Sequence, residues 1–266
     1  MKSLLTILNG PESVDALKSA MVLQNALGAR LTVAHPVPPL PAAATMFGDG
    51  GLGLAVIAST EIEYSPAAAR QAFDAVCKEP SCRFRETGTS PYDTLRKYSL
   101  FADLVVIARD YGLADTSLDQ LRAALVTNRV PTVWLPAAPL TAAPRTVVCV
   151  WNGQAPSARA ICSARPFMAK AERVIVIEHA GNEVNRSRLE YYLDIHGVKP
   201  AAWRQFGDAG LTARGRARAL LAEAQAAECD LLVMGAYGEA AESFFSFGRA
   251  TEKVATAATM PVLFHS

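Results

Sequence analysis

Short runs of consecutive apolar residues alternate with stretches of helical periodicity along the whole chain. The runs lie at residues 4–8, 31–35, 82–86, 103–107, 132–135, 146–151, 174–178, 202–206, 230–234 and 262–265. Most are apolar without interruption, which is typical of strands buried on both faces of a sheet. Between them, apolar residues recur at helical intervals, as in Ala217, Leu220, Leu221 and Ala224. This alternation predicts an α/β fold with parallel sheets and helices on both faces.

The chain repeats this pattern once, which indicates a duplicated domain. Asn9 follows the first apolar run as Asn152 follows the sixth, and an apolar-proline pair precedes the last run of each half. The repeat predicts two tandem domains at residues 1–136 and 145–266, each with a five-stranded parallel sheet. The last strand of each half would lie at a sheet edge, and we expect the two edges to pair with each other.

Composition and charge exclude several classes of protein. Of the 266 residues, 51% are hydrophobic, and 26 basic against 25 acidic side chains give a net charge of +1, so a nucleic-acid partner is not expected. The five cysteines are odd in number and scattered, which favours a reducing compartment. The first apolar run is too short for a signal peptide, and no run could span a membrane. A cytoplasmic protein without a membrane partner is therefore expected.

A glycine pattern near the carboxyl end of the chain is the strongest candidate for chemistry. Gly235 ends the run at 230–234, Gly238 follows three residues later, and Gly248 comes after nine more residues, just before a helical pattern. Glycines behind a buried strand let the backbone lie close to phosphates, and a helix N-terminus adds unpaired N–H groups. The pattern predicts an anion site in the second half.

With these glycines and the order of its strands, the chain resembles the universal stress protein family in its tandem two-domain form, over essentially its whole length. The resemblance implies two tandem Rossmann-like domains of the adenine nucleotide alpha hydrolase-like type, with an ATP site, assisted by Mg²⁺, at the carboxyl ends of the strands. The residues that it implies for this site are Asn152 on the nucleoside, Gly235, Gly238 and Gly248 as backbone approaches, and Arg249 and Thr251 on the phosphates.

Several residues depart from the pattern of the nucleotide-binding members. Arg249 stands where those members have Ser or Thr after the last glycine, and Asn152 stands where their first strand ends in Asp. Asn can still form hydrogen bonds to a ribose or an adenine edge, but it carries no charge. Glu239 and Glu242, between the glycines, would repel a triphosphate unless a cation intervened. The resemblance therefore implies a weak or vestigial site.

The first domain has lost the glycine pattern. Ala108 stands at the position of Gly235, and Asp110 lies where a phosphate would approach. This half is interpreted as structural, with a degenerate site. His35 and His179 occupy equivalent strand-end positions, and we interpret them as capping or cleft-lining side chains inherited by duplication.

Two functions remain open from the sequence. One is a stress-associated regulatory protein that binds ATP and hydrolyses it slowly at most, because no residue is placed to activate water. The other is a nucleotide-free module whose blocked site leaves it to bind a protein partner or a second copy of itself. An enzyme that uses the cleft at His179 has less support. Cys77 and Cys82 are interpreted as ordinary buried thiols, with a redox pair as the alternative.

Overall fold

A ten-stranded sheet forms the centre of the molecule. The computed structural model describes residues 1–9, 13–37, 65–109, 117–136, 139–179, 183–207, 211–236 and 249–266. The strands in these residues are β1 (Ser3–Ile7), β2 (Arg30–Pro36), β3 (Cys82–Thr87), β4 (Leu104–Ala108), β5 (Thr132–Leu135), β6 (Thr146–Trp151), β7 (Arg173–His179), β8 (Ala202–Phe206), β9 (Leu231–Gly235) and β10 (Val262–His265). Strands β5, β6, β8 and β10 have the predicted bounds, and the others differ by one residue at one or both ends.

Helices connect the strands within each half. The helices are α1 (Val14–Leu27), α2 (Pro66–Val76), α3 (Pro91–Tyr98), α4 (Ser117–Arg122), α5 (Ala155–Met168), α6 (Glu183–Ile195), α7 (Ala213–Ala226) and α8 (Arg249–Ala257). Three of these helices begin at an N-cap residue. The side chains of Ser65, Ser90 and Thr212 accept hydrogen bonds from backbone N–H groups in the first turns of α2, α3 and α7. The predicted apolar stripe of α7 is buried.

The order of the strands confirms the predicted fold class. The sheet runs β3-β2-β1-β4-β5-β10-β9-β6-β7-β8, so the second half repeats the order of the first in mirror sequence. All pairs within a half are parallel. Two tandem Rossmann-like units thus share one sheet, while their boundaries at residues 1–136 and 145–266 stay a prediction.

The two halves join through their last strands, as predicted. Strands β5 and β10 pair antiparallel, with Val133 opposite Leu263 at the centre of the register. The indole Nε1 of the buried Trp134 donates a hydrogen bond of 2.8 Å to the carbonyl oxygen of Ala255 in α8. Because each of these apolar strands covers the edge of the other, neither is left open to pair with another chain.

Helices cover both faces of the sheet, and each face has its own core. One core contains Leu17 of α1 and Ile161 of α5 with inward residues of the strands. The other contains Leu121 of α4 and Val254 of α8. Neighbouring strand residues alternate between the two cores, as Leu4 and Leu5 do, because successive side chains of a strand point to opposite faces. Both cores run through both halves.

Candidate functional site

The carboxyl ends of β6 and β9 are the candidate ligand site of the second half. These strands are neighbours in the sheet, but α5, which follows β6, packs on one face and α8, which follows β9, packs on the other. Because the two helices pack on opposite faces, this is the place where open α/β sheets commonly form a ligand crevice. Asn152 directly follows β6, and Gly235 is the last residue of β9.

Gly235 lets the first turn of α5 lie directly against the end of β9. A Cβ atom at this position would lie 2.5 Å from the backbone nitrogen of Ser157 and 2.7 Å from the carbonyl carbon of Pro156. Backbone atoms cannot swing aside as the end of a flexible side chain can, so only glycine fits here. Gly235 therefore has a packing role that the sequence analysis missed, and its approach to a phosphate stays a prediction.

The side-chain oxygen of Asn152 accepts hydrogen bonds within the turn that leads into α5. Its side-chain Oδ1 accepts a hydrogen bond of 3.1 Å from the backbone N–H of Gln154 and one of 2.7 Å from the hydroxyl of Ser157. Two donors to one atom identify that atom as the amide oxygen. The side chain is exposed, so the amide nitrogen Nδ2 is the group that Asn152 can offer to a ligand, and it is a donor.

The remaining predicted site residues are only partly described. Thr251 lies in the first turn of α8 and is 4% exposed. The backbone of Arg249 begins α8, while its side chain, Gly238 and Gly248 lie outside the described residues. Glu239 and Glu242 lie outside them too. The structure thus brings Asn152 and Gly235 together through the first turn of α5, and the phosphate contacts of Arg249 and Thr251 stay predictions.

Two buried polar groups beside Asn152 were not found from the sequence. Trp151 ends β6 and pairs in register with Glu178 of β7, so both side chains lie on the same face of the sheet. Their side chains are buried, with 7% and 1% exposure. Within the described ranges, neither the indole Nε1 of Trp151 nor Oε2 of Glu178 has a hydrogen-bond partner. An acidic residue at the end of an otherwise apolar run was the signal available in the sequence.

Glu178 is held by Arg186 from α6. The Nη1 atom of Arg186 lies 3.2 Å from Oε1 of Glu178, and its Nε lies 2.9 Å from Oε1 of Glu190. The guanidinium also stacks on the ring of Trp203, 4.4 Å from the ring centre. A buried carboxylate needs such a partner because its charge is costly in an apolar environment. Arg186 satisfies one oxygen of Glu178 and leaves the other for a further donor.

In the first half, the strand-end residue His35 has a structural role. His35 is fully buried at the end of β2, and its Nδ1 lies 2.7 Å from the carbonyl oxygen of Leu8. Its ring stacks on Phe84 with the centres 6.1 Å apart. This agrees with the interpretation of His35 as a capping side chain. The side chain of His179, its counterpart, lies outside the described residues, as do Asp110 and Gly112.

Clusters of His, Cys, Asp and Glu that could hold a metal ion, and membrane-spanning segments, are not evident in the described part of the chain. No group of three or more His, Cys, Asp or Glu side chains converges there, and no helix there is long and apolar enough to cross a bilayer. The five cysteines are free thiols. Burial, followed by the neighbouring Cys82, raises the pKa of Cys77 to about 12, so its thiol is protonated at neutral pH.

Solved structures with the same fold include universal stress proteins. A universal stress protein from Archaeoglobus fulgidus DSM 4304 is similar with a TM-score of 0.69 and 14% identity, covering 99% of this chain and 96% of its own. A protein of unknown function from Pseudomonas aeruginosa PAO1 has a TM-score of 0.59 and 11% identity, covering 100% of this chain and 92% of its own. A shorter universal stress protein, solved in complex with cAMP, is 22% identical over 47% of this chain and 98% of its own, with a TM-score of 0.38.

These similarities confirm, at the level of fold, the resemblance to tandem universal stress proteins. The sequence matches no family model, and no curated protein matches it significantly.

Proposed function

We propose that the protein is a stress-associated regulatory protein that binds an adenine nucleotide, ATP with Mg²⁺, weakly in the crevice of the second half. The observation that supports the proposal is the close packing at the ends of β6 and β9, where Gly235 admits the first turn of α5. A helix N-terminus beside a crevice offers unpaired N–H groups and the positive end of the helix dipole, which favour an anion.

The polar groups around the crevice support a nucleoside there. Asn152 is exposed and can offer its donor, Nδ2, since its Oδ1 already accepts from Gln154 and Ser157. Trp151 adds a second donor and Glu178 an acceptor that lack partners in the described part of the chain. Adenine and ribose carry both donors and acceptors, so they complement such a set. In this proposal Asn152 contacts the nucleoside, whereas Trp151 and Glu178 are buried and would have to be uncovered to reach it.

The phosphates would lie at the start of α8. The backbone at Gly235, Gly238 and Gly248 would approach them, and Arg249 and Thr251 would contact their oxygens, as the family resemblance implies. Mg²⁺ would offset the repulsion between the phosphates and the nearby carboxylates. We expect binding with slow hydrolysis at most, because a base that activates water is not among the assigned residues.

Calorimetry with ATP and Mg²⁺ tests the proposal on the full chain and on two glycine variants. Gly238→Val should abolish the heat of binding, because a branched side chain would block the approach to phosphate. Gly88→Val is the matched control: Gly88 lies in the first half, and a Cβ atom there meets nothing within 4 Å. Its heat should equal that of the unsubstituted protein. Heat that persists in Gly238→Val would contradict the assigned residues.

A nucleotide-free interaction module is the second candidate function, and exposed apolar side chains favour it. Leu100 and Phe101 follow α3 with 63% and 93% exposure. Apolar side chains of this size in water commonly mark an interface. If ATP gives no heat with the unsubstituted protein, this function is preferred. Sedimentation should then show self-association that Phe101→Ser reduces, if the partner is a second copy of the chain.

A further inference from the structure

Three sulfur atoms from separate elements converge at the outer edge of the first half. Cys77 caps the end of α2, Cys82 begins β3, and Met21 lies in α1. The Sγ atoms of Cys77 and Cys82 lie 3.6 and 3.3 Å from the Sδ atom of Met21. The two thiols are also close enough for Cys82 to raise the pKa of Cys77. The sulfurs therefore form a compact triangle.

The size of the triangle suits a single ion. Three sulfurs that share one ion at the ~2.3 Å of a metal–thiolate bond lie about 4 Å apart, so the contacts of 3.3 and 3.6 Å to Met21 need only a small outward shift to admit an ion. Thiolate and thioether sulfurs are soft ligands, which select Cu(I) over hard cations. Zinc prefers four ligands from Cys, His, Asp or Glu. A polar atom beside the triangle is the amide oxygen of Gln24, 3.0 Å from Cys82 Sγ, which is not one of these ligands, so Cu(I) suits the site better than zinc.

Backbone hydrogen bonds hold the two thiols in place. The N–H of Cys77 donates to the carbonyl oxygen of Phe73 at 2.7 Å, which closes the last turn of α2. The N–H of Cys82 donates to the carbonyl oxygen of Glu79 at 3.1 Å, which closes the turn between the cysteines. A short, closed connection between two ligands reduces the conformational entropy that is lost when an ion binds.

The triangle is accessible from solvent through Cys82. Strand β3 is the outermost strand of the sheet, and Cys82 is partly exposed. It lines a surface depression of about 640 Å³ together with Pro80 and Ser81. An ion can therefore approach Cys82 from solvent.

A second cysteine–methionine contact shows what packing alone produces. In the second half, Cys149 Sγ lies 3.5 Å from Met168 Sδ, and both residues are buried. Burial, followed by the neighbouring Cys229, raises the pKa of Cys149, but the Cys149–Met168 contact is closed to solvent, so it is ordinary core packing. The first-half triangle differs in having two thiols that both contact the methionine and in having a partly exposed ligand, Cys82.

We propose that Met21, Cys77 and Cys82 form a binding site for one Cu(I) ion. The ion replaces the two thiol protons and takes one sulfur ligand from each of three elements. The site lies at the amino end of β3, whereas the proposed nucleotide crevice lies at the carboxyl ends of strands in the other half. It is therefore independent of the proposed nucleotide binding.

Anaerobic titration of the reduced full chain with Cu(I), against bicinchoninate as competing chelator, tests this site. One ion should bind per chain. Changes in the outer shell of a site already lower metal affinity ~10–100-fold, so Cys77→Ser or Cys82→Ser should lower it at least about a hundredfold and Met21→Leu about tenfold. Cys162→Ser is the matched control, because Cys162 is an exposed thiol at the eighth residue of α5, as Met21 is the eighth residue of α1. The affinity of this variant for Cu(I) should equal that of the unsubstituted protein.

Two further measurements separate loss of the site from loss of the fold. X-ray absorption of the copper complex should show three sulfur ligands at about 2.3 Å. The redox-inert ion Ag(I) should raise the thermal midpoint of the unsubstituted protein and of Cys162→Ser, but not that of Cys82→Ser. Nitrogen or oxygen ligands, or an equal shift in all three proteins, would overturn the proposal.

Discussion

Each half carries an asparagine within two residues of the end of its first strand, and the two side chains have different environments. Asn152 is exposed, and its Oδ1 accepts two hydrogen bonds from the start of α5. The Oδ1 of Asn9 is buried and has no hydrogen-bond partner within the described ranges, although its backbone N–H donates to Ser13 at 3.2 Å. Duplication has kept the residue at this position without keeping its contacts, so a shared residue does not imply a shared site.

The ends of β4 and β9 differ in the same way. In the second half, Gly235 admits the first turn of α5. In the first half, Ala108 stands at that position, and the next residue, Arg109, reaches across to the other half. Its Nη1 donates to the carbonyl oxygen of Thr256 at 2.5 Å, in the last turn of α8, where a cation is favoured by the helix dipole. The first half thus uses this strand end to hold the halves together.

Exchanging glycine and alanine between these strand ends should have the largest effect on the free energy of unfolding. Gly235→Ala places a methyl group 2.5 Å from a backbone atom, and such overpacking should lower the free energy of unfolding by about 3 kcal/mol. Ala108→Gly is the matched variant, and it should cost at most about 1 kcal/mol through backbone entropy. Urea denaturation measures both. Equal losses would show that the close contact at Gly235 is not specific to the second half.

The same substitution at the two asparagines should have opposite effects. Asn9→Asp buries a charge at an oxygen without a hydrogen-bond donor, so it should lower the free energy of unfolding by about 2 kcal/mol. Asn152→Asp keeps both hydrogen bonds and adds a negative charge before the N-terminus of α5, which should stabilise by about 0.5 kcal/mol. Chemical denaturation at pH 7 and low salt distinguishes the two signs. A loss at both positions would contradict the different environments.

The fold was predictable because most strands are continuous apolar runs with polar residues at their ends. All ten strands were predicted within one residue, and the pairing of β5 with β10 followed from their unprotected edges. Strand ends also placed Asn152 and Gly235 near each other, since parallel strands end at the same edge of a sheet.

Contacts between distant segments were not predictable. Glycine at position 235 is explained by the backbone of Ser157, and no local pattern in the sequence reports that approach. Among the described residues, Oε2 of Glu178 has no partner because the guanidinium of Arg186 reaches only Oε1. Cys77 and Cys82 were seen as a spaced pair, but the third sulfur, on Met21, is more than fifty residues away in the chain. Such groups become visible only when the topology has brought them together.

The last strands of the two halves differ at one position, and this difference predicts the smallest effect, a dependence on pH. Leu135 ends β5 and is fully buried, whereas His265 ends β10. The Nε2 of His265 donates to the carbonyl oxygen of Arg129 at 3.0 Å, and its Nδ1 therefore accepts from the hydroxyl of Ser163 at 2.9 Å. A proton on Nδ1 would make this nitrogen a donor, so the hydroxyl of Ser163 would have to turn and accept.

Burial lowers the pKa of His265 below its ordinary value of 6.5, and the charge of Arg159 acts in the same direction, while hydrogen bonds to backbone carbonyls oppose both. Because the unfolded chain then binds the proton first, the free energy of unfolding should fall as the pH drops from 6.5 towards the lower pKa of the folded state. In His265→Gln this contribution is absent, so its thermal midpoint should fall less than that of the unsubstituted protein between pH 7.5 and 5.5. Parallel curves for the two proteins would show that His265 stays neutral in both states or titrates alike in both.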